Sequence, residues 1–128
     1  MRVQQAVLAV VCAATAALAG CGTQACHLIG GVPGVVIRNP EVLYGRAAVE
    51  VRVCVTETAC SSATVPAAQS ELTVDSELLT ARVDAITVSA TDAGGTEVYR
   101  ETRPVVPRVS YPNGEGCEPT VWRAAVTL

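Results

Sequence analysis

Ala47-Ala48-Val49-Glu50-Val51-Arg52-Val53-Cys54-Val55-Thr56 alternates β-branched apolar residues with charged or polar ones over most of its length. Side chains of a strand point to opposite faces at successive residues, so this pattern predicts a half-buried strand. Val49, Val51, Val53 and Val55 are placed on the buried face, and Glu50, Arg52, Cys54 and Thr56 on the wet one. Thr56 to Ala59 turns the chain back, which brings Cys60 opposite Cys54 across a hairpin.

Further strands are expected on both sides of this hairpin. Val32–Ile37 is one, placed at a sheet edge because Pro33 and Gly34 interrupt it. Ser61–Ser70 reads as a loop around Pro66, and Glu71–Asp75 as a short strand with Leu72 and Val74 on one side. Ser76–Leu79 reads as one helical turn or a connector. Arg82–Thr91 is a strand burying Ile86, Val88 and Ala90. Asp92-Ala93-Gly94-Gly95 is turn chemistry, with Thr96–Arg100 returning as partner. Val105–Ser110 and Thr120–Leu128 complete the set, the latter with Trp122, Ala124, Val126 and Leu128 facing inward. Short alternating strands punctuated by turns predict an all-β fold, an immunoglobulin-like β-sandwich of about seven strands, with a small β-barrel as alternative.

The start of the chain has a different character. Arg2 is the only early charge, and Ala6–Leu18 is apolar or small apart from Thr15. That run is shorter than the ~20 apolar residues of a membrane-spanning helix and has the layout of an export signal. It ends in Leu18-Ala19-Gly20-Cys21, which resembles the lipobox of bacterial lipoproteins. In that family the cysteine takes a diacylglyceryl group and signal peptidase II cuts before it. The resemblance implies recognition through Leu18, Ala19 and Gly20, lipidation of Cys21, and an address on the extracytoplasmic face of the cell membrane. Two acyl chains anchor stably where one does so only marginally. The segment Pro112–Pro119, with Cys117 in a Gly-rich loop, is similar to the end of small uncharacterised lipoproteins of high-GC Gram-positive bacteria, a likeness that implies no activity. The expected organisation is a signal peptide over 1–20, a lipidated start and tether over 21–31, and a single domain over 32–128.

Composition agrees with export. Of the six cysteines, Cys12 leaves with the signal peptide and Cys21 takes lipid, so Cys26, Cys54, Cys60 and Cys117 remain, an even set. A small domain without phenylalanine buries little apolar area, and disulfides are the usual supplement outside the cytoplasm. Four cysteines allow three pairings. The hairpin favours Cys54–Cys60, which leaves Cys26–Cys117 as a long bridge. The formal net charge is −3 and every basic residue is arginine; this balance argues against a nucleic-acid partner, which needs clustered basic residues.

Candidate chemistry is sparse. His27 beside Cys26 suggests a zinc or copper ligand pair, but no CxxC or HxxxH spacing supplies the others, so no metal or cofactor is expected beyond the lipid. Ser61, Ser62 and Ser110 lie outside any G-x-S-x-G elbow, which argues against a serine hydrolase. Glu115 and Glu118 form a carboxylate pair around Cys117, read as a solvated loop rather than a glycosidase site. Asp92 with Glu97 lacks the ligand density of a calcium loop. Trp122 is expected in the core; Tyr44, Tyr99 and Tyr111, near loops or strand ends, read as half-buried caps, with a binding face as the alternative. The resulting expectation is a non-enzymatic, membrane-tethered module that binds an envelope protein, a wall polymer or a small ligand. A structural or assembly spacer is the alternative, and a small envelope enzyme or metal protein ranks below both.

Overall fold

The computed structural model describes residue 26, residues 31–118 and residues 120–128. The strands are β1 (Gly34–Arg38), β2 (Glu50–Cys54), β3 (Cys60–Thr64), β4 (Glu71–Asp75), β5 (Ala85–Thr91), β6 (Glu97–Pro104), β7 (Arg108–Ser110) and β8 (Val121–Thr127). One helical turn, α1 (Glu41–Tyr44), lies between β1 and β2. The strands form two four-stranded sheets, of order β4-β1-β8-β7 (sheet 1) and β3-β2-β5-β6 (sheet 2). The fold is therefore a β-sandwich with eight described strands, and neither sheet closes into a barrel. Its likeness to immunoglobulin domains is one of layer architecture, since their constant-type sheets are ordered ABED and CFG.

The core lies between the sheets. Val51 and Val53 of β2 pack with Ile86 and Val88 of β5 and with Val35 and Ile37 of β1, all at most 1% exposed. The valine alternation reads true within β2 and fails at its margin. Val49 is 43% exposed, because the strand starts only at Glu50, after a chain reversal through Ala47 at φ +54°. Leu72 and Val74 of β4 and Ala124 and Val126 of β8 complete the interior.

The placement of the first strand at an edge is corrected. β1 pairs with β4 on one side, antiparallel, and with β8 on the other, parallel. Pro33 precedes the strand, so its missing N–H costs the ladder nothing. Gly34 permits the central position. A Cβ there would stand 2.4 Å from the Val74 carbonyl oxygen, and only a residue without one lets β4 approach so closely. Gly34→Ala is expected to destabilise the domain by about 1–3 kcal/mol, the usual cost of overpacking. A urea midpoint equal to wild type would contradict this.

Other differences have local causes. The expected loop over Ser61–Ser70 begins with β3, because the tight return at Thr56–Ala59 pairs Cys60–Thr64 with β2 residue by residue. Ser76–Leu79 is an irregular connector, not a helical turn. β5 starts at Ala85 rather than Arg82, β6 runs on to Pro104, and of Val105–Ser110 only Arg108–Ser110 pairs. Trp122 points inward as expected but is half-buried, since its neighbour β7 is a three-residue edge strand that covers it incompletely.

Two disulfides fasten the fold. Cys54–Cys60 links directly opposed residues of β2 and β3. Cys26–Cys117 joins the stretch before β1 to the loop before β8 across 91 residues. Both bridges lie at the same end of the sandwich, where β2 and β4 end and β1 and β8 begin; this is the disulfide end. The opposite end carries α1 and the Asp92–Thr96 turn.

Candidate functional site

The outer face of sheet 2 carries a polar surface with a groove. The register fixes its rows. Ser62, Arg52, Ser89 and Arg100 stand side by side across β3, β2, β5 and β6. The next row toward the disulfide end is Cys60, Cys54, Thr87 and Thr102, with the Thr87 and Thr102 hydroxyls hydrogen-bonded at 2.9 Å. A groove of about 530 Å³ runs over these rows and is bounded by Thr56, Glu57 and Asp84.

The two arginines of this face differ in state. Arg100 donates two hydrogen bonds of 2.9 Å to Glu97, which holds the Glu97 carboxyl below its ordinary range. The Arg52 guanidinium has no hydrogen bond or ion pair to a described residue. Ser89, only 7% exposed, lies between them. The face therefore offers one unengaged planar cation with hydroxyls at its sides, a donor set suited to a carboxylate or phosphate oxygen pair. Sequence reading placed Arg52 on the wet face but gave it no role, because the row linking it to Ser62, Ser89 and Arg100 exists only once three strand pairings are known.

A second polar cluster sits on the inner side of β6. Tyr99, Glu101 and Arg103 stand opposite Ala90, Val88 and Ile86, the buried residues of β5. The Tyr99 hydroxyl donates to Glu101 Oε2 at 2.5 Å, and Arg103 Nη2 lies 2.9 Å from Glu101 Oε1. Arg46 packs over the Tyr99 ring, 5.7 Å from its centroid, and donates to the Val98 carbonyl at 2.8 Å. Inward-pointing charges on an edge strand discourage pairing with another chain, and this ladder has that form.

The ladder makes stability depend on pH. The hydrogen bond from Tyr99, aided by Arg103, lowers the Glu101 carboxyl from its ordinary 4.5. That contribution is present above about pH 4.5 and is lost as pH falls through the depressed folded value. Burial first, and then the bond to Glu101, raise the Tyr99 phenol from 10.0, so its contribution is present below about pH 10 and fades as pH rises through the raised value. Melting temperatures followed from about pH 5 to pH 3 should fall less steeply in Glu101→Gln than in wild type. Parallel acid limbs would refute the assignment.

The three tyrosines do not form one face. Tyr44, at the end of α1, exchanges hydrogen bonds with the backbone of Gln69, accepting at 3.0 Å and donating at 3.1 Å, so it straps the β3–β4 loop. Tyr99 belongs to the β6 ladder. Tyr111 is 44% exposed at the disulfide end, opposite to the end that holds Tyr44.

The remaining sequence candidates resolve differently. The Asp92 carboxylate accepts from the Gly94 and Thr96 amides, both at 2.9 Å, which is turn formation, while Glu97 is engaged by Arg100. Glu118 accepts from the Thr120 amide, and Glu115 is exposed beside it. Ser61 donates to Ser76 at 3.0 Å between β3 and the connector after β4. Ser62 and Ser110 stand on β3 and β7. Asn113, buried in the Cys117 loop, closes that loop by donating to the Glu118 carbonyl at 2.7 Å. No group of three or more His, Cys, Asp or Glu side chains gathers as a metal site among the described residues. Leu18, Ala19, Gly20, Cys21 and His27 lie outside the described residues. Comparison of the chain with protein-family models, curated proteins and solved structures found no match.

Proposed function

We propose that this chain is an exported lipoprotein, anchored through a diacylglyceryl group on Cys21, whose sandwich is a non-enzymatic binding module at the extracytoplasmic face. The anchor reading rests on the Leu18–Cys21 motif and on the cysteine count: with Cys12 removed in the signal segment and Cys21 given to lipid, four of the six cysteines remain, the four that form the two bridges. The binding reading rests on Arg52, an unengaged arginine that lines the groove of sheet 2 beside Ser89. Its chemistry fits a partner that presents carboxylate or phosphate groups, as an anionic wall polymer does.

The test is binding of the purified ectodomain to a purified anionic wall polymer by co-sedimentation, with Arg52→Ala and Arg82→Ala compared. A hydrogen bond to a charged group contributes about 1.5–3 kcal/mol, so Arg52→Ala should lose about tenfold or more in affinity. Arg82, which does not line the groove, should be neutral. Equal binding by all three proteins would refute the groove as the seat. Turnover of any substrate in a broad hydrolase screen would refute the non-enzymatic reading.

A further inference from the structure

Large apolar side chains are unevenly exposed on this molecule. Among the described residues, Val32, Val49, Val106, Val109 and Tyr111 are the ones open to solvent, from 39% to 75%. All except Val49 lie at the disulfide end. Val109 stands opposite Trp122 on the β7 edge, and Tyr111 follows two residues later. Gly31 abuts Pro112 so closely that a Cβ would fall 2.2 Å from its ring, which places Val32 beside the same loop.

The tether leads to this end. Cys26 is bonded to Cys117, with their Cα atoms 5.7 Å apart. Four residues lie between Cys21 and Cys26, and the five steps from one to the other, at ~3.3–3.6 Å each, span at most about 18 Å. β8 alone, seven residues long, extends about 23 Å at ~3.3 Å per residue. A lipid on Cys21 therefore holds the disulfide end at the bilayer, while α1 and the Asp92–Thr96 turn lie beyond the reach of the tether when the domain stands upright.

We infer that the disulfide end rests on the membrane, with Val32, Val106, Val109 and Tyr111 in contact with the lipid surface. The inference rests on the proposed lipidation of Cys21. Glu77, Glu115 and Glu118 belong to the same end, so the contact is apolar rather than basic, and a neutral zwitterionic bilayer is the surface it fits. Tyrosine suits such a boundary, with an apolar ring and a polar tip. In this stance the groove of sheet 2 runs up the side of the domain from Thr56, Glu57 and Asp84 at the disulfide end, with Arg52 on the row farther from the bilayer.

The experiment uses the full mature lipoprotein, reconstituted in phosphatidylcholine vesicles or nanodiscs doped with a nitroxide-labelled lipid. Amide signals are followed by NMR, and intact mass is read on the same sample. Signals of Val106, Val109, Tyr111 and Gly114 should lose intensity, while those of Tyr44, Gly94 and Gly95 keep theirs. In the double variant Val106→Ser/Tyr111→Ser, whose sites are exposed and whose fold is checked by its spectrum, the loss at Val109 should shrink. An intact mass without acyl groups would refute the lipidation and the inference with it. A lipidated chain whose losses fall evenly, or at the Gly94 end, would overturn the inference and leave the anchor reading standing.

Discussion

Replacing Cys26 and Cys117 together by serine should lower the stability of the domain by about 4–5 kcal/mol. The bridge closes a 91-residue span, and on the chain-entropy model a closed loop of about that size contributes roughly 4.7 kcal/mol. The magnitude matters because a small domain has only about 5–15 kcal/mol of total stability. The urea midpoint of Cys26→Ser/Cys117→Ser should therefore fall by about a third or more. Cys54→Ser/Cys60→Ser is the internal comparison. Its bridge spans 6 residues between strands already paired, and the same model gives only about 2 kcal/mol. If the two double variants lost equal stability, the long bridge would not be the principal fastening.

Ile37→Ala should cost about 3–5 kcal/mol, the upper part of the range for large-to-small core changes. Ile37 is fully buried, lies on a strand flanked on both sides, and faces β2 and β5 in a core with no phenylalanine to fill space. Valines and alanines supply most of the interior, so few neighbours have the reach to close the resulting cavity. Val36, one residue earlier, points to the outer face, and Val36→Ala should fall within about 1 kcal/mol of wild type. Comparable losses at both positions would mean that the inward face of β1 is misassigned.

The sequence carries the fold where side-chain alternation meets both a buried and a wet face. β2, β4 and β5 show that contrast and were readable to within a few residues. β1 was legible as a strand but not in its position. Pro33 and Gly34 suggest an edge, and only the approach of the Val74 carbonyl explains why glycine is needed in the middle of a sheet. β3, Cys-Ser-Ser-Ala-Thr, has no apolar alternation and is a strand because its hairpin makes it one. The cysteine pairs were legible for a geometric reason: a tight return after Cys54 leaves one partner in reach. The groove was not, because Arg52, Ser89 and Arg100 are distant in sequence and become neighbours only through strand order. Likewise nothing in the sequence separates the roles of the tyrosines, which depend on whether Gln69, Glu101 or solvent meets each hydroxyl.

The parallel pairing of β1 with β8 has a consequence for the order of assembly. Sheet 2 is stitched from two hairpins, β2 with β3 and β5 with β6, joined by the β2–β5 ladder that pairs Glu50 with Thr91 and Cys54 with Thr87. Sheet 1 takes its two central strands from opposite ends of the described chain, and β8 lies outside the covalent ring closed by Cys26 and Cys117. Sheet 2 and the β1–β4 pair can therefore form as the chain emerges, while the rest of sheet 1 waits for Val121–Thr127 to slot between β1 and β7. Until then β1 and β7 each present an unpaired edge, and this interval is when the nascent domain is most exposed to proteases and to strand exchange with its own copies.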